Sequence, residues 1–144
     1  MPEISRSALL PYPPRFVYDI VNDVEAYPAF LPWCGGAELH RADQTSLEAS
    51  IKISVAGVDQ WFRTRNAMIP GESIEIELVE GPFKRLQGRW NFVSLDGSGC
   101  KIELVLAFEF KRGLTAAVIG PAFTRIANTM VDSFCQRARE LHGQ

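Results

Sequence analysis

The amino-acid sequence predicts an α+β fold, a curved antiparallel sheet of about six to seven strands wrapped around a long C-terminal helix. Three observations carry that expectation. From about Gly36 to Phe110 the chain alternates apolar and polar residues with period two, which marks half-buried antiparallel strands. From Pro121 to Leu141 the apolar residues recur on one helical face instead. The strands form one run with helices outside it, so the layers are segregated rather than alternating.

The elements follow in order. Ile4 to Leu10 is a short strand closed by Pro11. Pro13-Pro14 opens a helix, because proline is tolerated in a first turn. Phe16, Ile20 and Val24 recur at i, i+4 and i+8 on its apolar face, and Pro28 is expected to end it. Tyr27 to Trp33 forms an aromatic knot containing Pro28 and Pro32. In Ser46–Val55, Leu47, Ala49, Ile51, Ile53 and Val55 share a face. Ile74, Ile76 and Leu78 share another, as do Leu86, Trp90 and Phe92. In Cys100–Lys111 the inner row is Ile102, Leu104, Leu106, Phe108 and Phe110. Pro70-Gly71, Gly81-Pro82 and Asp96-Gly97 supply turns.

Val58–Ile69 departs from this regularity. One face reads Phe62, Thr64, Asn66, Met68 and the other Trp61, Arg63, Arg65, Ala67. Either it is a twisted edge strand, or Thr64 and Asn66 face inward and offer polar contacts to a ligand, since an inward polar group needs a partner.

At 100° per residue, Ile119, Phe123, Ile126, Ala127, Met130, Val131, Phe134, Ala138 and Leu141 fall within roughly a 140° arc. Arg125, Asn128, Asp132, Gln136 and Arg139 fall outside it. Gly120-Pro121 is expected to break this helix, with Leu114–Ile119 a separate turn or kinked extension. From Pro121 to Leu141 it would span about 30 Å.

Composition narrows the function classes. At 144 residues the chain has the usual size of one domain, expected to occupy 1–144. Such a chain buries roughly 70% of its unfolded surface without disulfide or metal. A net charge of −2 and a pI of 5.7 give no general attraction for nucleic acid, and no DNA partner is expected. The N-terminus lacks a signal-peptide pattern and no apolar run is long enough to span a membrane, so a soluble cytoplasmic protein is expected. Cys34, Cys100 and Cys135 are read as reduced thiols.

Catalytic patterns are sparse. His40 lies on a strand and His142 at a fraying C-terminus, with no metal-ligating spacing between them. Cys34 beside Gly35-Gly36 reads as a small buried hydrophobe rather than a nucleophile. Asp19, Asp23 and Glu25 read as solvated carboxylates, and Gly35-Gly36 and Gly97-Ser98-Gly99 as turn glycines. No catalytic residue, metal or required cofactor is assigned. The apolar rows read either as plain core or as ligand contact by Phe62, Phe83, Trp90, Phe92, Leu104, Leu106 and Phe108 from the sheet. Phe123, Ile126, Met130 and Phe134 would meet it from the helix, with Thr64 and Asn66 as polar contacts. Arg63, Arg65, Lys84, Arg85 and Arg89 are candidates for phosphate contact if they share one side of the sheet.

Three strings carry a resemblance over essentially the whole chain: Tyr27-Pro28-Ala29-Phe30-Leu31-Pro32-Trp33-Cys34; Gly81-Pro82-Phe83-Lys84-Arg85-Leu86 with Gly88 and Trp90; and Gly120-Pro121-Ala122-Phe123 leading into Arg125–Phe134. With the element order, they resemble the coenzyme Q-binding protein and ribosome-association toxin RatA family of the START-like, helix-grip, polyketide cyclase superfamily. The resemblance implies a cavity between sheet and helix for ubiquinone or another lipid, in support of respiration. It also implies, second, binding of the large (50S) ribosomal subunit that blocks 70S formation, with a toxin–antitoxin context. A polyketide cyclase-type enzyme ranks last, because the apolar rows offer few acid or base groups.

Overall fold

The computed structural model describes residues 3–55, 57–95, 97 and 99–142, with backbone alone at 114–116. Its strands are β1 (Glu3–Leu10), β2 (Cys34–Ala42), β3 (Ser46–Val55), β4 (Val58–Ile69), β5 (Ser73–Glu80), β6 (Phe83–Ser94) and β7 (Cys100–Phe110). They form one antiparallel sheet in the order β1-β7-β6-β5-β4-β3-β2. Strands β2 to β7 are thus a meander, and β1 adds to its far edge beside the last strand.

The alternation sets the faces. Ile51 pairs with Phe62, Asn66 with Ile76, Ile74 with Trp90, and Trp90 with Leu104, so the inner residues of five strands form continuous cross-sheet rows. The turn between β4 and β5 requires Gly71, whose φ of 77° suits a residue without Cβ. The Asp96-Gly97-Ser98 turn region includes Asp96 and Ser98, which lie outside the described residues.

Four expectations need correction. Strand β4 is internal, paired with β3 and β5, so its mixed faces do not make it an edge. Gly35-Gly36 lies in β2 rather than in a turn; a Cβ at Gly35 would meet Ser54 Oγ at 2.0 Å, so side chains from β3 take that space. The first helix, α1 (Pro14–Asn22), stops before Val24, where Asp23 leaves helical geometry at ψ 73°. A 3-10 turn (Val24–Ala26) and the short α2 (Tyr27–Phe30) follow, and Pro28 lies in the first turn of α2 rather than ending α1.

The fourth concerns the C-terminal helix. It runs unbroken as α3 (Leu114–His142), with Pro121 inside it. A mid-helix proline costs about 3 kcal/mol. Ile119 and Phe123 on either side of it are 0% and 3% exposed, and burying such side chains is worth about 1.5–3 kcal/mol each, which outweighs that cost. Thr124 Oγ1 also donates to Gly120 O at 3.2 Å in the disturbed turn. The predicted apolar arc faces the sheet: Ile126, Ala127, Val131, Phe134 and Ala138 are buried, with Cys135 beside them. Arg125, Asp132, Gln136 and Arg139 are exposed. The His142 ring lies 4.4 Å from that of Tyr12 and 5.4 Å from Phe16. Arg6 Nη2 donates to Asn128 Oδ1 at 2.6 Å, which ties β1 to α3.

Candidate functional site

Between the inner rows and α3 lies a mostly apolar cavity of about 80 Å³. The curved sheet creates it, because rows from β3 to β7 converge on a helix that cannot follow their whole curvature. Phe62, Thr64, Asn66, Trp90, Leu104, Leu106, Phe123 and Met130, all proposed from sequence, line it. Gly88 shapes it from β6: a Cβ there would stand 2.9 Å from Leu106 Cδ1 and 3.5 Å from Ile76 Cδ1, so glycine leaves those lining side chains their positions.

The remaining sequence candidates lie in the packed core outside the lining. Phe83 sits 5.5 Å from Phe62, 4.6 Å from Phe110 and 5.1 Å from Phe123, ring to ring. Phe108 joins this cluster through Phe123 at 4.9 Å. Phe134 packs against Trp90 at 5.3 Å and Tyr27 at 5.4 Å, and Phe92 stacks along Trp90 at 6.2 Å. Ile126 is buried on the helix arc. Alternation identifies which side a residue faces, but not whether it meets space or another ring.

Sequence reasoning missed Val24, Tyr27, Trp33, Ile51, Ile76 and Leu86 as lining residues. The signal was present for several. Ile51, Ile76 and Leu86 belong to recognised inner rows, and Tyr27 and Trp33 to the aromatic knot, which folds over the cavity's end. Trp33 O accepts from Ser54 N at 2.8 Å, anchoring the knot to β3.

The polar content of the wall is small and specific. Thr64 and Asn66 are 5% and 8% exposed, and Asn66 Oδ1 finds no hydrogen-bond donor among the described residues. A buried acceptor left unsatisfied costs about 1–3 kcal/mol. Tyr27 Oη donates to Val21 O, and burial pushes its hydroxyl pKa well above the ordinary range, so it stays protonated. Burial likewise raises the Cys34, Cys100 and Cys135 thiols, which disfavours a reactive thiolate. His40 is exposed on β2, with Nε2 2.7 Å from Ser50 Oγ. Asp19 is exposed and paired with Arg15 at 2.9 Å.

The outer face carries the basic candidates, but they do not form one patch. Arg63 and Arg65 on β4 converge on Glu48 of β3, joined by Arg41 of β2. Arg89 pairs with Glu75, Lys84 lies 3.9 Å from Glu109, and Arg85 stands opposite Glu109 in the ladder. Between these sets runs β5, whose Glu75 and Glu77 pair with Ala67 and Arg65. This acidic strand divides the positive charge.

A curved antiparallel sheet closed on a long helix over an enclosed apolar cavity defines the START-like, helix-grip class. The family model described as polyketide cyclase / dehydrase and lipid transport matches residues 10–135. The chain belongs to that family and, within it, to the RatA group. It is 48% identical over 140 residues to the ribosome association toxin RatA of Pseudomonas aeruginosa, covering 97% of each chain. It is 26% identical to the mitochondrial coenzyme Q-binding protein COQ10 homolog B of Xenopus laevis, covering 99% of this chain and 60% of that one. Among solved structures, the Zhui aromatase/cyclase of a Streptomyces species superposes with a TM-score of 0.81 at 17% identity, covering 96% of this chain and 93% of that one. That likeness establishes the fold. No helix among the described residues is long and apolar enough to cross a membrane.

Proposed function

We propose that the protein associates with the ribosome in the cytoplasm, binding the large subunit and hindering its joining to the small one, as a binding protein rather than an enzyme. The observation that carries this reading is the 48% identity with the Pseudomonas RatA over 97% of both chains. The geometry supports it. The cavity of about 80 Å³ is far below the roughly 300–1,000 Å³ of sites that engulf a drug-sized ligand, so in this conformation the outer surface is the larger feature offered to a partner. The oxygen-bearing side chains on the cavity wall are Thr64, Asn66 and a protonated Tyr27, none of which is an acid or base at neutral pH. Purified protein added to ribosomal subunits is expected to sediment with the large subunit and to deplete 70S particles in a sucrose gradient. Gradients unchanged at saturating protein would overturn the reading.

A second reading has its own observation. The unpartnered Asn66 Oδ1 in an apolar wall supports a hydrophobic ligand that carries a hydrogen-bond donor, such as the hydroxyl of a reduced quinone, and the relative named as coenzyme Q-binding favours that class. Binding requires the cavity to widen. The family resemblance of the sequence ranks this ligand first; the 48% identity with a RatA reverses the order. Solvent extraction of protein from a quinone-producing host, followed by mass spectrometry, should recover an apolar molecule. Empty protein that also shows no saturable titration with a quinol, the reduced form, would remove this reading.

A further inference from the structure

We infer that the outer face of β2, β3 and β4 is an RNA-binding surface, with Trp61 as a stacking platform for a base and Arg41, Arg63 and Arg65 as a row of phosphate contacts. The inference deepens the ribosome reading and takes its biological target from it.

Trp61 is 40% exposed, whereas Trp90 in the core is 2% exposed. Its ring is nonetheless seated. A Cβ on Gly36 would stand 3.2 Å from Trp61 Cη2, so the indole lies over the backbone of β2 where only glycine leaves room. Lys52 Nζ stands 5.6 Å from the ring centroid. An aromatic plane held in place and still open to solvent has lost its own freedom before a base arrives, so little more is lost on stacking.

The arginine row is organised by a buried carboxylate. Glu48 is 7% exposed although it lies on the wet face of β3, because guanidiniums cover it. Arg63 Nε donates to Oε2 at 2.6 Å, and Arg65 Nη2 and Arg41 Nη2 lie 3.3 and 3.8 Å from Oε1. Hydrogen bonding from Arg63 holds the Glu48 pKa below its ordinary value, so the carboxylate stays charged. Within this cluster three positive groups meet one negative, and Glu77 and Glu80 of β5 stand opposite Arg65 and Arg63 in the ladder. Each guanidinium has five N–H donors, and the carboxylate offers about four acceptor sites to all three, so most donors remain for phosphate oxygens.

Beside Trp61 an open groove of about 660 Å³ is lined by Arg63, Val79, Glu80, Pro82 and Lys111 among others. Its charged members are Arg63, Lys111 and Glu80, with Arg63 also bonded to Glu48. A groove carrying guanidinium and ammonium groups and bordered by an exposed aromatic plane combines the two kinds of contact by which single-stranded nucleic acid is held. In the second basic set, on β6, Arg89 is tied to Glu75 and Lys84 lies near Glu109, and the groove that Arg89 lines also carries Glu3, Glu75 and Glu77.

Two variants test this without uncovering Glu48. Trp61→Ala removes the platform; the double variant Arg41→Gln/Arg65→Gln removes two of the positive charges and keeps the Arg63–Glu48 pair. Lys84→Gln/Arg89→Gln removes as much charge from the other set. Each is first checked for folding by circular dichroism, then measured for affinity to purified large subunits and to a single-stranded oligoribonucleotide. Trp61→Ala should weaken both by on the order of tenfold. The double arginine variant should lower the slope of log affinity against log salt for the oligonucleotide by about 1.4. The β6 control should change neither by more than about twofold. Ultraviolet crosslinking of wild type should join Trp61 to ribosomal RNA. If wild type ignores subunits but binds the oligonucleotide through Trp61, the ribosome reading falls and this surface stands. If wild type binds subunits and the site variants bind as well as the control, the surface is overturned. A crosslink to a ribosomal protein, or binding to anionic vesicles in place of RNA, overturns the RNA assignment.

Discussion

Arg63 reaches diagonally across the β3–β4 ladder to place its Nε 2.6 Å from Glu48 Oε2, while Arg65 stands directly opposite Glu48 in register. The pair holds the folded-state pKa of Glu48 below its ordinary 4.5. A carboxylate with a depressed folded value contributes stability above the unfolded value and loses it as pH falls through the folded one. Glu48→Gln should therefore be less stable than wild type at pH 7, with the gap closing as pH drops below about 4.5. Urea midpoints for both proteins at pH 7 and pH 3 measure this; an equal gap at both would refute it.

Asn66 makes the opposite prediction for an empty cavity. Asn66→Leu removes an unsatisfied buried acceptor and keeps similar bulk, so it should stabilise the protein by about 1 kcal/mol. The same change should weaken any ligand that donates to Oδ1 by about tenfold. Denaturant unfolding and ligand titration read the two effects separately.

Phe83 is 1% exposed and touches the rings of Phe62, Phe110 and Phe123. Phe83→Ala should cost about 3–5 kcal/mol. It should also make the far end of the cavity accessible, seen as faster uptake of an apolar fluorescent probe. A loss below 1 kcal/mol would show that the cluster closes over the gap.

Pro121 sits within α3 at an exposed position. Pro121→Ala restores a backbone donor and removes a ring clash, and is expected to raise stability by about 1–3 kcal/mol. Destabilisation would mean that the helix depends on the shape the proline imposes.

The three cysteines are buried, and burial raises each thiol above its ordinary 9.0. A raised folded value means stability is full below the unfolded value and is lost as pH rises past it. Thiol labelling should thus be slow in native protein and complete after unfolding, and stability should fall above about pH 9. Rapid labelling of the folded chain would contradict this.

Much of the fold is legible in local patterns. The inner rows Leu47–Val55 and Ile102–Phe110 and the arc from Ile119 to Leu141 follow from backbone periodicities alone. The course of α3 through Pro121 was hidden, because it depends on sheet contacts that outweigh a local penalty. The role of Gly36 was hidden for a related reason: its space is filled by Trp61, 25 positions later in the chain and two strands away. Half of the cavity question was legible. Thr64 and Asn66 stood out as polar residues on an apolar row, but Phe92, Phe108 and Phe134 could not be separated from true lining residues, since that depends on how rings interlock. The basic surface was the least legible, because Arg41, Glu48, Arg63 and Arg65 meet only once three strands are in register.

The placement of β1 governs when the molecule is complete. Its partners lie in the final strand, with Glu3 opposite Ala107 and Leu10 opposite Cys100, whereas β2 to β7 join through short turns between sequence neighbours. The meander can assemble progressively as the chain emerges during synthesis, but the first strand must wait for the last, and α3 leaves later still. A chain made as far as β4 therefore has its β2–β4 surface before its closed core. For a protein read as acting on ribosomes, that sequence of assembly forms the proposed contact surface earlier than the β1–β7 pairing that closes the sheet.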